Sequence, residues 1–393
     1  MNDRILAGMP EITRLTRAGR LQEATAAIQR MLGCHMPASA VTEPAGQPEK
    51  ASIDGVFRVI NNNTMQSGQA RHARPASPGP QVREPRDAPL GQFITGSYTN
   101  HAGTRAYKLY IPSGYREQPL PLVVMLHGCT QDPDDFAAGT RMNQLAEEHP
   151  CLVLYPAQAQ GANVSKCWNW FKEGDQRREQ GEPSIIAGIT RQIMKSYRID
   201  PRRVYVAGLS AGGAMAVTMG MTYPELYAAT GVHSGLPYAA AHDMPSAFAA
   251  MRPGNTIGVR AGNGGVREPA VSQQLVPTIV FHGDEDTTVH PGNGDQVIAQ
   301  SRAKPPDDSA NAQSQANAQV TVQRGEVANG HAYTRTIYRD ATGQASVEQW
   351  LVHGAGHAWS GGSSSGSFTD PKGPDATREM IRFFLEHPKP SRH

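Results

Sequence analysis

The sequence has little excess charge, few cysteines and no long apolar run. Its 37 lysine and arginine residues against 35 aspartate and glutamate residues leave a net charge of +2, which argues against a general nucleic-acid-binding or polybasic membrane surface. Four cysteines in 393 residues are too few for a disulfide-rich scaffold, and their spacings match neither a zinc ribbon nor a C-x-x-C redox site. No apolar run reaches the roughly 18 residues of a membrane-spanning helix. Integral membrane proteins, collagens and coiled coils are therefore excluded.

The first 20 residues also lack the pattern of a secretory signal. Charged side chains interrupt this stretch, so it contains no unbroken apolar region of the required length. From this absence we expect a cytoplasmic protein.

What is present divides the chain into three zones. Residues 1–33 are predicted to form a helical segment, because apolar residues recur at helix-like spacing over 9–32. Residues 34–90 are rich in proline and poor in large apolar residues, which predicts a flexible linker. Residues 91–388 have globular texture and are expected to form the catalytic domain. A role of residues 9–32 in docking to a granule or a protein partner is an open expectation.

In the third zone, short apolar strands alternate with helical stretches. The predicted strands cover residues 107–111, 122–126, 152–155, 203–207, 228–233, 278–281 and 347–352. The predicted helices cover residues 133–148, 184–197, 211–222, 293–301 and 376–386. This alternation predicts an α/β fold with a doubly wound, mostly parallel sheet flanked by helices. Residues 303–319, rich in Ala, Gln, Asn and Ser, are expected to be an exposed excursion.

The run Gly208-Leu209-Ser210-Ala211-Gly212 is the most informative local motif. It follows a buried-strand pattern and precedes a helical one, which is the context of the nucleophile elbow of α/β-hydrolases. Small residues on both sides let the backbone turn tightly while the serine oxygen stays accessible. The motif predicts Ser210 as a nucleophile.

A nucleophilic serine needs a histidine base, and the base needs an orienting carboxylate. In α/β-hydrolases the chain order is Ser, then Asp or Glu, then His. The segment 284–286 (Asp-Glu-Asp) follows one predicted strand, and His353 and His357 follow the last one. The residue pattern alone does not choose among these three carboxylates. The glycines around the two histidines argue against a helix-borne zinc pair, and no metal or cofactor is expected.

The second donor of an oxyanion hole is expected early in the sheet. Strand 122–126 runs into His127-Gly128-Cys129, so the amide of Cys129 or a neighbour is a candidate beside the amide of Ala211. Three tryptophans, Trp168, Trp170 and Trp359, fall in loops. They are candidates for a substrate-binding wall, with core packing as the alternative, and His233 at a strand end is a further pocket candidate.

Taken together, five stretches resemble the poly(3-hydroxybutyrate) depolymerase family of esterases. They are the segments 126–131 (LHGCTQ), 167–171 (CWNWF), 208–215 (GLSAGGAM), 233–235 (HSG) and 356–359 (GHAW). The resemblance covers roughly residues 91–388 and extends to feruloyl and acetylxylan esterases. It implies the α/β-hydrolase fold.

Carried over residue by residue, the resemblance implies Ser210 as nucleophile, Asp286 as the acid and His357 as the base. It places the second oxyanion donor at Cys129 and pairs Cys129 with Cys167 in a disulfide. An extracellular location, as for many relatives, is the alternative that it adds to the cytoplasmic expectation.

The function expected from the sequence is a serine esterase acting on poly(3-hydroxybutyrate) or its oligomers. One alternative is a feruloyl or acetylxylan esterase acting on plant polysaccharide esters, with the same chemistry and another acyl pocket. A more distant alternative is a non-catalytic adaptor with a relic hydrolase domain. The expected partner is a polyester or ester substrate, with no nucleic acid and no transmembrane segment.

Overall fold

The computed structural model describes residues 91–252, 276–302, 319–340 and 343–390. The expectations for residues 1–33 and 34–90, including docking through 9–32, lie outside the described residues. The same holds for residues 303–318, nearly all of the expected excursion.

A ten-stranded sheet, in the order β1-β2-β4-β3-β5-β6-β7-β10-β9-β8, forms the centre of the fold. Its strands are β1 (Gln92–Asn100), β2 (Gly103–Ile111), β3 (Leu120–Leu126), β4 (Leu152–Pro156), β5 (Ile199–Leu209), β6 (Ala229–His233), β7 (Thr278–Gly283), β8 (Val320–Glu326), β9 (Ala332–Arg339) and β10 (Ala345–Val352). The six strands from β4 to β10 in this order pair in parallel, and the outer strands pair antiparallel. The predicted α/β fold with a mostly parallel sheet is confirmed.

Helices cover both faces of the sheet. They are α1 (Pro133–Thr140), α2 (Met142–Glu148), α3 (Gly181–Ser196), α4 (Ala211–Thr222), α5 (Met244–Ala250), α6 (Gly292–Arg302) and α7 (Ala376–Glu386), with a short 3-10 helix at Glu173–Gln176. Two two-residue strands, β11 (Trp359–Ser360) and β12 (Thr369–Asp370), pair in parallel apart from the main sheet.

Side chains that alternate along the central strands divide the core into two layers. In β3, Leu122 and Val124 face the layer that holds α3 and α4, whereas Val123 and Met125 face the layer of α1, α2 and α7. All four side chains are buried. Because both faces of the sheet are covered, the central strands are almost continuously apolar, and these apolar runs predicted them from the sequence.

The prediction of one helix over residues 133–148 is wrong in one respect. The segment forms two helices, because Arg141 between them has a left-handed backbone, with φ 56°. Its guanidinium donates to the carbonyl of Gly361 at 2.7 Å and to the carboxylate of Asp375 at 2.9 Å. These tertiary contacts stabilise a break that the local sequence does not signal.

Candidate functional site

Ser210 lies in a sharp turn between β5 and α4. Its backbone has φ 58° and ψ −120°, a conformation that costs on the order of 1–3 kcal/mol for a non-glycine residue and that is typical of functional sites. The Ser210 amide donates to the carbonyl of His233 at 2.9 Å, and the hydroxyl does not cap the helix. The hydroxyl is therefore not used to cap the helix.

The glycines around Ser210 are required by close backbone approach. A Cβ atom on Gly212 would lie 2.0 Å from the carbonyl oxygen of Leu126 and 2.6 Å from that of His127. A Cβ atom on Gly208 would meet the carbonyl oxygen of Gly212 at 2.3 Å. The elbow thus packs directly against the end of β3 and the residue that follows it.

Asp286 and His357 form the central hydrogen bond of the site. The Nδ1 atom of His357 lies 2.7 Å from Oδ2 of Asp286. The Asp286 side chain is fully buried, and that of His357 is 11% exposed. Since a carboxylate oxygen can only accept, the proton of the neutral imidazole is on Nδ1, and Nε2 keeps its lone pair.

Further donors fix the Asp286 carboxylate. Its Oδ1 accepts from the amides of Thr288 at 2.9 Å and Val289 at 2.8 Å, and the Nε2 atom of His282 lies 3.4 Å from Oδ2. Burial by itself raises the pKa of Asp286. This effect is outweighed by the hydrogen bonds from His282 and His357, by the charge of His357 and by the hydrogen bond from the Val289 amide, so the pKa lies well below its usual range. Asp286 is therefore a carboxylate at neutral pH.

His127 holds the peptide that carries the Cys129 amide. The amide of Gln158 donates to Nε2 of His127 at 3.0 Å, so Nδ1 bears the proton and donates to the carbonyl of Gly128 at 2.8 Å. Burial lowers the pKa of His127 to about 4, which keeps the ring neutral. In a trans peptide the C=O and N–H point in opposite directions, so fixing the Gly128 carbonyl also fixes the direction of the Cys129 N–H.

Gln131 is a residue of this loop whose contacts the sequence reasoning did not predict. Its Oε1 atom accepts from the Gly128 amide at 2.9 Å, and its Nε2 atom donates to Asp135 at 2.8 Å and to the Ser367 carbonyl at 3.1 Å. The side chain therefore closes the loop and joins it to the segment between β11 and β12. In the sequence, only its position at the end of the 126–131 stretch pointed to a role for Gln131 in this loop.

A disulfide joins Cys129 to Cys167, with Cα atoms 4.2 Å apart. The Cys167 carbonyl accepts from Nε2 of Gln158 at 2.9 Å, and the Gln158 amide donates to His127. Gln158 thus holds Cys167 directly and, through His127, the peptide that carries the Cys129 amide. The amides of Cys129 and Ala211 donate to no acceptor within the described part of the chain, so both are available to a ligand.

The aromatic candidates for substrate binding are in the core. Trp168 and Trp359 are 0% and 1% exposed, and Trp170 is 6% exposed. The ring of Trp359 donates to Thr377 in α7 at 2.9 Å, while Trp168 and Trp170 belong to the layer of α3 and α4. The packing alternative therefore describes Trp168 and Trp359, whose side chains are enclosed. A substrate-binding role of Trp170, which keeps a small exposed fraction, stays a prediction.

His233 has a structural environment as well. It is 1% exposed, its ring stacks on Trp359 and Phe281 at 5.2 and 5.8 Å, and its Nε2 atom accepts from the Ser360 amide at 2.9 Å. Burial and the neighbouring histidines lower its pKa to about 3. A neutral, enclosed ring of this kind supports the elbow from behind and does not line a pocket.

Within the described ranges no group of three or more His, Cys, Asp or Glu side chains has the arrangement of a metal site. Of the helices that the structure describes, none combines the length and the apolar character that crossing a membrane requires.

The fold and the elbow define an α/β-hydrolase. Acetyl xylan esterase from Aspergillus awamori has the same fold, with a TM-score of 0.52 at 19% identity, covering 75% of this chain and 99% of that one. Residues 105–323 match the family described as Esterase PHB depolymerase, and the chain belongs to this family.

Two curated relatives extend the comparison. Poly(3-hydroxyalkanoate) depolymerase C of Paucimonas lemoignei is 34% identical over 268 residues, covering 66% of this chain and 59% of the relative. A probable acetylxylan esterase A of Aspergillus fumigatus is 30% identical over 226 residues, covering 56% of this chain and 60% of the relative. The matches thus extend over about three-fifths of the length of these relatives.

Proposed function

We propose that the protein is a serine esterase with Ser210 as nucleophile, His357 as general base and Asp286 as the orienting carboxylate. The 2.7 Å contact between His357 and Asp286 carries the proposal. It lies at the carboxyl edge of the same parallel sheet whose strand β5 ends at the strained Ser210 turn.

The first half of the reaction forms an acyl-enzyme. The Oγ atom of Ser210 attacks the ester carbonyl carbon while Nε2 of His357 takes its proton. The carbonyl oxygen becomes an oxyanion and accepts hydrogen bonds from the amides of Cys129 and Ala211. The intermediate then expels the alcohol, which takes the proton from His357, and the acyl group remains on Ser210.

The second half releases the acid. A water molecule gives a proton to Nε2 of His357 and attacks the acyl carbon, and a second oxyanion forms at the same two amides. When the Ser210 C–O bond breaks, the serine oxygen recovers its proton from His357. In both halves the ionised Asp286 stabilises the imidazolium that forms, because the two charges are separated by one short hydrogen bond in a buried environment.

For the substrate we propose poly(3-hydroxybutyrate) or its oligomers. The family match and the 34% identity to a poly(3-hydroxyalkanoate) depolymerase support this choice. An acetylxylan or feruloyl esterase is the second candidate, supported by the 30% identity to a probable acetylxylan esterase. Both use the same chemistry at Ser210 and differ in the acyl and alcohol groups that they accept.

The chemistry is tested with Ser210→Ala and p-nitrophenyl butyrate. Turnover is expected to fall by about four or more orders of magnitude, and labelling by a fluorophosphonate probe should disappear. Ser196→Ala, which changes an exposed serine at the end of α3, is the matched control and should behave as wild type. Activity retained in Ser210→Ala would refute the proposal, and a wild-type protein that takes no probe would favour the non-catalytic adaptor.

The substrate is tested by comparing kcat/KM on 3-hydroxybutyrate oligomers, acetylated xylan and methyl ferulate. We expect the oligomers to be hydrolysed with the highest kcat/KM. A preference for either of the other two esters would transfer the assignment to the polysaccharide esterases and leave the triad proposal intact.

A further inference from the structure

A second aspartate–histidine contact joins the loops that carry Asp286 and His357. The Oδ2 atom of Asp284 lies 2.8 Å from Nδ1 of His353, and its Oδ1 atom accepts from the Gly354 amide at 2.7 Å. One carboxylate therefore holds the first two residues of the loop that leads to His357.

This contact lies where the strand pairing ends. The last paired positions of β7 and β10 are Gly283 and Val352, and beyond them each chain leaves the sheet. The Asp284 amide still donates to the Val352 carbonyl at 3.1 Å, and the Glu285 amide donates to the Ala355 carbonyl at 3.1 Å. Together with the Asp284 side chain, these bonds continue the contact between the two segments into the loops.

His353 extends the connection to a third strand. Because the Asp284 carboxylate accepts, Nδ1 of His353 carries a proton, and its Nε2 atom lies 2.9 Å from the hydroxyl of Thr334 in β9. The backbone amide of His353 also donates to the Ala332 carbonyl at 2.8 Å. The residue that Asp284 binds is thus fixed to the adjacent strand on its other side.

The loop that leads to His357 needs these contacts because its glycines allow many backbone conformations. Gly354 has φ 74°, and Gly356 lies directly before His357. Glycine loses more conformational freedom than any other residue when it is ordered, so hydrogen bonds from neighbouring segments have to define the path of the chain. Asp284 supplies two of them within four residues of His357.

We propose that Asp284 is a positioning residue for His357, which it serves by holding residues 353 and 354. The inference rests on the proposed function, in which His357 must meet both Asp286 and Ser210. A displacement of about 1 Å in a catalytic group can cost a factor of 100 in rate. The side chains of Asp284 and His353 are 35% and 40% exposed, so their contact contributes little to folding, and an effect on catalysis can be separated from one on stability.

The test compares Asp284→Ala with Asp284→Asn in the full chain. Alanine removes both hydrogen bonds, so kcat on p-nitrophenyl butyrate should fall roughly tenfold to a hundredfold with little change in KM. Asparagine can still accept from Gly354, and its amide can donate to Nδ1 of His353 if that ring carries its proton on Nε2 and donates it to Thr334. The asparagine variant should therefore recover most of the activity.

The control is Asp200→Ala, at the start of β5 and therefore at the other end of this strand from Ser210. Asp200 also accepts from one backbone amide, that of Arg202 at 3.0 Å, and from one side chain, that of Arg203 at 2.7 Å. It should leave kcat unchanged while it changes Tm as much as Asp284→Ala does. If Asp284→Ala lowers Tm more than the control does, the test uses His353→Ala in place of Asp284→Ala. This variant keeps the contact between Asp284 and Gly354, so its loss of kcat should be smaller than that of Asp284→Ala.

A spectroscopic readout separates this inference from the esterase proposal. The Nδ1 proton of His357, hydrogen-bonded to Asp286, should give a low-field ¹H NMR resonance that needs no substrate. In Asp284→Ala this resonance should shift or broaden, whereas Asp200→Ala should retain it. A variant Asp284→Ala with wild-type kcat and an unchanged resonance would overturn the inference, whatever the substrate proves to be.

Discussion

The His357 ring is 2.7 Å from the Asp286 carboxylate, although 71 positions separate the two residues in the chain. The contact exists because β7 and β10 are adjacent and parallel, so that the loops leaving them emerge at the same edge of the sheet. A buried carboxylate and a partly exposed imidazole then face each other with the carboxylate ionised.

Asp286→Asn should lower kcat on p-nitrophenyl butyrate by about 10⁴-fold, the scale seen when a triad aspartate is replaced in other hydrolases. The Asn amide group can donate to Nδ1 of His357, which places the imidazole proton on Nε2, and that nitrogen can then no longer accept the Ser210 proton. Steady-state kinetics measure the effect.

Glu285→Gln is the matched control for this change, since Glu285 is the exposed neighbour of Asp286. It should retain wild-type kcat. Equal losses in the two variants would mean that the loop, and not the Asp286 carboxylate, determines activity.

His127 should make folding stability depend on pH. Its pKa is about 4 in the folded protein because of burial, against about 6.5 in an unfolded chain. Between these values the unfolded state binds a proton that the folded state does not, so the free energy of unfolding falls as pH is lowered from about 7 to 4, by on the order of 3 kcal/mol from this residue.

Urea unfolding at a series of pH values measures this dependence. The asparagine side chain in His127→Asn does not titrate, so the free energy of unfolding of this variant should fall less steeply on acidification than that of the wild type. His242→Asn makes the same chemical change at a side chain that is 80% exposed, and it should follow the wild-type curve. A His127→Asn curve parallel to that of the wild type would contradict the assignment of a neutral, buried ring.

Gly212→Ala should destabilise the fold by about 3 kcal/mol or more. The added Cβ atom would meet the backbone carbonyl of Leu126 at 2.0 Å, and backbone cannot give way as a flexible side chain can. Thermal and urea unfolding measure the loss.

Gly114→Ala is the control, because a Cβ atom at this exposed position meets nothing within 4 Å. Its free energy of unfolding should stay within about 0.5 kcal/mol of wild type. If the two alanine variants were equally stable, the close approach of the elbow to the segment after β3 would be incorrect.

Strand detection from the sequence depended on burial. The central strands β3, β5, β6 and β7 were predicted because both of their faces are covered, and their apolar runs are visible in the chain. Strands β1, β8 and β9 were not predicted, since their residues are mostly exposed or half-buried. β1 and β8 are the two edge strands of the sheet, and β9 is the neighbour of β8. Pairing with a neighbour, rather than an apolar pattern, makes these segments strands. Helix α5 was missed although Asp243 and Ser246 form a capping box there.

The sequence by itself determined the elbow around Ser210 and the order in which its candidate partners follow. These features can be read from the local sequence, because the strand pattern, the small residues around Ser210 and the helix pattern follow one another directly, although the need for Gly212 itself comes from a tertiary contact with Leu126. The same is true of the alternation that predicted the parallel sheet.

Only the tertiary structure decided which groups meet. It paired Asp286 with His357 and Asp284 with His353, and it enclosed Trp168 and Trp359 in the core. Neighbouring side chains in a loop, such as Asp284 and Asp286, have the same chemistry and similar local sequence. What distinguishes them is the direction in which the folded backbone points each one, and that direction is set by strands and loops from distant parts of the chain.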